Sequence, residues 1–108
     1  MWLVAFIDPK NPGETIESEY IQAAKKLSGK VNCGKSFSMD LARQWGVKKF
    51  PTIMYFPTGD KSVQTQNENY EGDIKANDIL TWALEKYNGE PVSKYRFYLL
   101  FGSSVKLL

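Results

Sequence analysis

Residues 29–36 read GKVNCGKS, and two incompatible structures fit them. In one, Gly29, Gly34, Lys35 and Ser36 match the pattern G-x-x-x-x-G-K-[ST], a loop that wraps backbone N–H groups around phosphate between a strand and a helix. In the other, KVNC at 30–33 is itself a short strand. The flanks choose between them. A phosphate loop follows a strand, yet Ile16, Tyr20, Ala23, Ala24 and Leu27 recur at helical spacing over 14–27, and Gly29 suits a helix stop. No acidic strand end follows that would hold magnesium. The strand reading is therefore preferred, and a nucleotide-binding hydrolase acting through residues 29–36 is kept as the alternative.

Working outward, Trp2 to Ile7 is a continuous apolar run rich in β-formers. Such a run fits a strand buried on both faces, as in a mostly parallel sheet. SFSMDLARQWGV at 36–47 reads as a helix with Leu41, Ala42 and Trp45 inward, Ser36 or Ser38 as N-cap, and Gly46 at its end. PTIMYF at 51–56 is a strand, with Pro51 at its first position, where a missing N–H is tolerated. On local pattern alone the bond before Pro51 is an ordinary trans one. PTGD at 57–60 is a turn, QNENYEG at 66–72 alternates like an edge strand, and 74–87 is a helix with Ile79, Leu80, Ala83, Leu84 and Tyr87 in its apolar stripe. NGEPVS at 88–93 is a loop, followed by an apolar tail from Lys94. The order β-α-β-α-β-β-α is an α/β layout. The first two strands should be parallel with a right-handed crossover, and the last two antiparallel.

Composition narrows the function classes. The chain has 108 residues, room for one domain, and a net charge of +2 with scattered Lys and Arg, which argues against a nucleic-acid surface. It has no His and a single Cys. An intramolecular disulfide, a Cys/His zinc site and His-dependent nucleophilic catalysis are thereby excluded. Neither a metal nor a cofactor is expected. No apolar run is long enough to span a bilayer; YRFYLLF at 95–101 is far too short. MWLVAF lacks a basic flank and a cleavage site, so it is not a signal peptide, and its abrupt start inside a strand pattern suggests a piece excised from a longer protein.

Taken in order, WLVAFIDPKNPGE, VNCGKSFSMDLARQWGVKKFPTIMYF and YEGDIKANDILTWALEKY resemble a thioredoxin domain of the protein disulfide isomerase type, over residues 2–87. GVKKFPTIMYF, at its distance from VNC, is the most specific part. The resemblance implies a thioredoxin-like α/β fold, a central mixed sheet of four or five strands flanked by helices. It also implies a cis bond before Pro51, beside the active loop. The family's redox loop falls on 8–14, where Asn11 and Glu14 stand in the two cysteine positions. The family's chemistry needs a thiolate at a helix N-terminus and a second thiol one turn along; Asn and Glu supply neither. Asn11 as N-cap, Pro12 at N1 and Glu14 at N3 make a capped helix start instead. Cys33 matches the cysteine of the family's VDC strand end, and a small buried residue is preferred there over a reactive thiol, which remains the second alternative.

The function these residues imply is a redox-inactive client-binding or scaffolding module, chaperone-like and without enzymatic activity, of a disulfide-isomerase-related protein. The resemblance places it in the endoplasmic reticulum or secretory pathway. Its expected partners are extended polypeptide segments or neighbouring domains, held at Lys10, Asn11, Pro12, Phe50 and Pro51. The family's opening strand and helix precede the point where this sequence starts. Residues 30–33 would then lie at a sheet edge, open to the tail at 94–101 or to a second copy in a homodimer. The domain is assigned to 2–87 and the apolar tail to 88–108.

Overall fold

The structure, a computed structural model, describes residues 2–10, 14–56, 68–87 and 105–108. Strand β1 (Trp2–Phe6) is followed by helix α1 (Glu14–Leu27), β2 (Asn32–Ser36), α2 (Met39–Gln44), β3 (Thr52–Phe56), β4 (Glu68–Asn69), α3 (Ala76–Lys86) and β5 (Lys106–Leu107). The five strands form one mixed sheet in the order β4-β3-β1-β2-β5. β1 runs parallel to β2, with Leu3 opposite Cys33 and Phe6 opposite Ser36. It runs antiparallel to β3, with Phe6 opposite Thr52. The fold is thioredoxin-like: a mixed sheet with helices on both faces.

The apolar run of β1 is explained by its place at the centre. All five of its residues are fully buried. Leu3 and Ala5, with Ile7, face Tyr20, Ala23 and Leu27 of α1 and Ile79 and Ala83 of α3. Trp2, Val4 and Phe6 face Leu41, Ala42, Val47, Met54 and Phe56 on the side of α2. Each large side chain of β1 contributes about 1.5–3 kcal/mol by leaving water. Two polar contacts fix α1 over this sheet. The Tyr20 hydroxyl lies 3.0 Å from the carbonyl oxygen of Leu3 and 2.8 Å from that of Gly34, so one buried O–H is shared between two strands. The Glu19 carboxylate accepts from the Ala76 amide at 2.7 Å and so caps α3 from outside, where the N-cap residue Lys75 makes no side-chain capping bond of its own.

Several sequence expectations shift. The second strand is Asn32–Ser36 and not 30–33. The amides of Lys30 and Val31 both donate to Leu27 O at 2.9 Å, so the helix's last turn extends through Gly29 at φ +85° and delays the strand. The second helix is Met39–Gln44 and not 36–47, because Ser36 completes the strand and Ser38 is the cap, its hydroxyl accepting from Leu41 N at 3.1 Å. Gly46, at φ +76°, ends that helix as expected. The edge strand expected over 66–72 is described only at Glu68–Asn69, and α3 covers 76–86 within the expected 74–87. The tail segment 94–101 lies outside the described residues; it is Lys106–Leu107 that pairs with β2, antiparallel, at Gly34 and Lys35.

The shared Tyr20 bond gives a direct test. Tyr20→Phe keeps the ring and its packing but leaves two buried carbonyl oxygens short of a donor, so unfolding by guanidinium should show a loss of about 1–2 kcal/mol. An unchanged midpoint would mean that the hydroxyl contributes nothing to holding α1 on the sheet.

Candidate functional site

β1 leaves the sheet at Phe6 directly opposite Thr52, where β3 enters, and Phe6 is also opposite Ser36, the last residue of β2. Residues 7–10, 37–39 and 49–51 therefore emerge side by side at one end of the sheet. Adjacent strands lie about 4.8 Å apart, so the outer two segments are separated by roughly 10 Å across the central one. Asp8 turns the chain after β1, its carboxylate accepting from the Lys10 amide at 2.9 Å. Thr52 closes the turn before β3, its hydroxyl donating to Lys49 O at 2.7 Å. The Phe50–Pro51 bond is cis.

The site residues expected from sequence divide accordingly. Lys10, Phe50 and Pro51 meet at this end; Lys10 and Pro51 are exposed and Phe50 is half-buried. The Phe50 ring packs against the second core cluster, so part of its apolar surface is already used. Among the described residues, its amide and carbonyl have no hydrogen-bond partner. Asn11 and Pro12 lie outside the described residues. Glu14 is described as the first residue of α1. Two residues at this end have no role in the sequence reading: Phe37 and Met39, 39% and 44% exposed. The Lys35 ammonium stands 5.6 Å from the Phe37 ring centre and pairs with Glu17 at 3.1 Å. The sequence pattern places Phe37 and Met39 within a helix over 36–47, and their exposure follows only from the shorter helix that Ser38 caps.

The two enzymatic alternatives fail on geometry. Gly34, Lys35 and Ser36, the residues a phosphate loop would wrap around its ligand, are extended within β2 and paired with β1. Their backbone N–H groups cannot converge on one anion. Cys33 is 4% exposed, packed in the first core cluster, and its Sγ lies 3.9 Å from Val31 O. Burial pushes its thiol up to about 12, against the lowering effect of a Tyr20 hydrogen bond. Burial likewise raises the Tyr20 hydroxyl well above its usual value, with Cys33 adding to the effect. A thiol held protonated in an apolar cluster is a poor nucleophile. Among the described residues, no group of acidic or cysteine side chains could hold a metal ion.

Comparison with known proteins agrees with this geometry. The family model described as a thioredoxin-like domain matches residues 10–104. The protein disulfide-isomerase A6 homolog of Drosophila melanogaster is 35% identical over 91 residues, covering 81% of this chain and 21% of that protein. Its Caenorhabditis elegans counterpart is 32% identical over 87 residues, covering 77% of this chain and 19% of that protein. The chain thus spans about a fifth of the length of these relatives. Among solved structures, the J-Trx1 fragment of ERdj5 superposes with a TM-score of 0.62 at 20% identity, over 78% of this chain and 41% of that one, a likeness of fold.

The buried thiol sets an expectation at alkaline pH. The unfolded chain loses the Cys33 proton near pH 9 and the folded chain keeps it to about 12, so stability is full below pH 9 and falls between 9 and 12. Guanidinium melts at increasing pH should show that fall, and Cys33→Ala should make it shallower. In the same vein, an aromatic disulfide reagent at pH 8 should label the native thiol at least about 100-fold more slowly than the unfolded chain. Equal rates would show that the thiol is open to solvent.

Proposed function

The chain belongs to the thioredoxin-like family, and from that premise we propose that it is a redox-inactive module of a protein related to disulfide isomerases, binding extended polypeptide segments. The two positions that carry thiols in the family hold Asn11 and Glu14, and the single Cys33 is buried elsewhere in the sheet. The observation that supports binding most directly is the backbone of Phe50. It lies at the entry to β3, and among the described residues its donor and acceptor have no partner. An extended segment laid along residues 49–51 would supply both, as in strand addition, and that mode of recognition requires no thiol.

Lys10 and Lys49 are exposed at the same end. They favour segments that are acidic or neutral over basic ones. Phe37 and Met39 add apolar surface on the other side of the 7–10 segment. The proposed setting is the endoplasmic reticulum or secretory pathway, the module serving either to hold a client or to space neighbouring domains of a larger protein. With no covalent bond to the client, affinity should be on the order of micromolar or weaker.

Two measurements test the proposal. In a reductant-coupled insulin precipitation assay the protein should match the no-protein control, and clear turnover would defeat the redox-inactive part. Amide shift mapping with an unfolded acidic client peptide should place the changes at residues 8–10 and 49–52. The double variant Lys10→Glu, Lys49→Glu changes only exposed side chains and should weaken binding by about tenfold, close to 1.4 kcal/mol. Shifts confined to the opposite end of the sheet would show that this end is not the binding surface.

A further inference from the structure

The end of the sheet that presents Phe50 has a further segment beside 49–51, and its charge is of the opposite sign. β4 pairs antiparallel with β3 at Asn69 and Met54, and the Tyr70 amide donates to Ile53 O at 2.7 Å. Residues 71–73 therefore leave the sheet beside 49–51, on the side away from 7–10. Glu71 and Asp73 are exposed, as are Lys10, Lys48 and Lys49. Among the described residues none of these five makes an ion pair. Asp8 is half-buried and its carboxylate is committed to the Lys10 amide. Across the end, in the order 71–73, 49–51, 7–10, the exposed charge thus runs from acidic to basic. Backbone bonds hold the acidic side in place. The Tyr70 hydroxyl donates to Asp73 O, and the Lys75 amide donates to the same oxygen at 2.8 Å. Tyr70 and Ile74, on either side of the turn, pack on the first core cluster. Neither carboxylate is needed to keep the turn.

We propose that the segment bound at this end is charge-ordered: an extended polypeptide with a basic residue lying over Glu71 and Asp73 and an acidic residue lying over Lys10. The inference rests on the reading of 49–51 as the backbone anchor, and adds which segments are taken and which way round they lie. Neighbouring segments follow the strand spacing of about 4.8 Å, so the acidic and basic sides stand roughly 10 Å apart across 49–51. Roughly three residues of extended chain, at about 3.3 Å each, cover that distance. Backbone bonds to Phe50 form with a parallel or an antiparallel partner, so they leave the direction of the segment open. The charges close that choice. One placement brings opposite charges together, and the reverse brings like charges together, so selection works by repulsion as well as attraction. A wholly acidic segment is attracted at Lys10 and Lys49 and opposed at Glu71 and Asp73. None of these groups lies in β2 or β5.

The probes are capped heptapeptides of equal composition and no net charge, titrated into the full chain at low ionic strength with amide shifts as the readout. Two are polarised, Glu-Glu-Thr-Val-Thr-Lys-Lys and its reverse, and one is not, Glu-Lys-Thr-Val-Thr-Lys-Glu. Each should move residues 8–10 and 49–52. The better polarised peptide should bind at least about fivefold more tightly than the unpolarised one, and its identity gives the direction of the bound chain. A nitroxide at its lysine end should broaden the amides of 71–73 more than those of 8–10. The advantage should shrink at about 0.5 M salt, where screening acts within a few ångströms. In the variant Glu71→Lys, Asp73→Lys, whose turn keeps its backbone bonds, the advantage should vanish. Glu-Glu-Thr-Val-Thr-Glu-Glu should then become the tightest binder. Equal affinities of all three neutral peptides for the unsubstituted chain, with shifts at 8–10 and 49–52, overturn the charge order and leave the binding end standing. An advantage that survives Glu71→Lys, Asp73→Lys overturns it as well. No shifts at 8–10 and 49–52 with any peptide would defeat the binding end itself, and the charge order with it.

Discussion

A strand with no side chain in contact with water dictates the rest of this molecule. β1 is paired on both edges and covered on both faces, from Trp2 to Phe6. Such a strand cannot lie at the surface of a domain this small, so α1 and α3 must cover one face and α2 the other. Parallel pairing with β2 then requires a crossover, which α1 provides. The shared Tyr20 hydroxyl fixes where that crossover lands, because it reaches Leu3 on one strand and Gly34 on the other. Burial in the same dry cluster raises both the Tyr20 hydroxyl and the Cys33 thiol, with the Tyr20 hydrogen bond working against the rise at Cys33.

The elements legible in sequence are those whose signal is local. β1 and β3 are dense apolar runs, and α1 and α3 have apolar stripes at helical spacing, so their existence could be read directly, with each limit within two residues. β2 could not be read in full, because three of its five residues are Gly34, Lys35 and Ser36. Its strand character comes from pairing with β1 and β5 and from neighbours distant in sequence. Glu17 on α1 neutralises Lys35, and Val105 needs the absence of a side chain at Gly34. β5 is illegible for the same reason, since two residues, Lys106 and Leu107, form no pattern alone. The candidate site was half legible. Pro51 and Lys10 stand where the family resemblance puts them, whereas Phe37 and Met39 became visible only when β2 proved longer and α2 shorter than their sequence patterns indicated.

Both edges of the sheet are closed by very short strands, β4 on one side and β5 on the other. A short edge is a common defence against uncontrolled pairing, because it offers few unpaired groups to another chain. The two edges are secured differently. On the β4 side, the Lys86 ammonium pairs with Glu68, and Tyr55 and Tyr70 pack their rings against Trp82 of α3. On the β5 side, among the described residues, Val105 is buried in the second core cluster and the backbone pairs with Gly34 and Lys35.

With Asn11 and Glu14 at the positions where the family carries thiols, the geometry of this end of the sheet rests on other groups. The end of the sheet where residues 7–10 and 49–51 emerge is built by strand pairing, by the Asp8 turn and by the Thr52 hydroxyl on Lys49 O. None of these groups is a thiol, and none depends on a neighbouring one. What the end presents is mainly backbone, at Phe50, together with exposed cations and apolar side chains. Backbone groups recognise an extended chain with little regard to its sequence, and the side chains around them bias the choice. On the function proposed above, weak and permissive contact of this kind is the whole interaction, and the module holds a segment briefly and releases it unmodified.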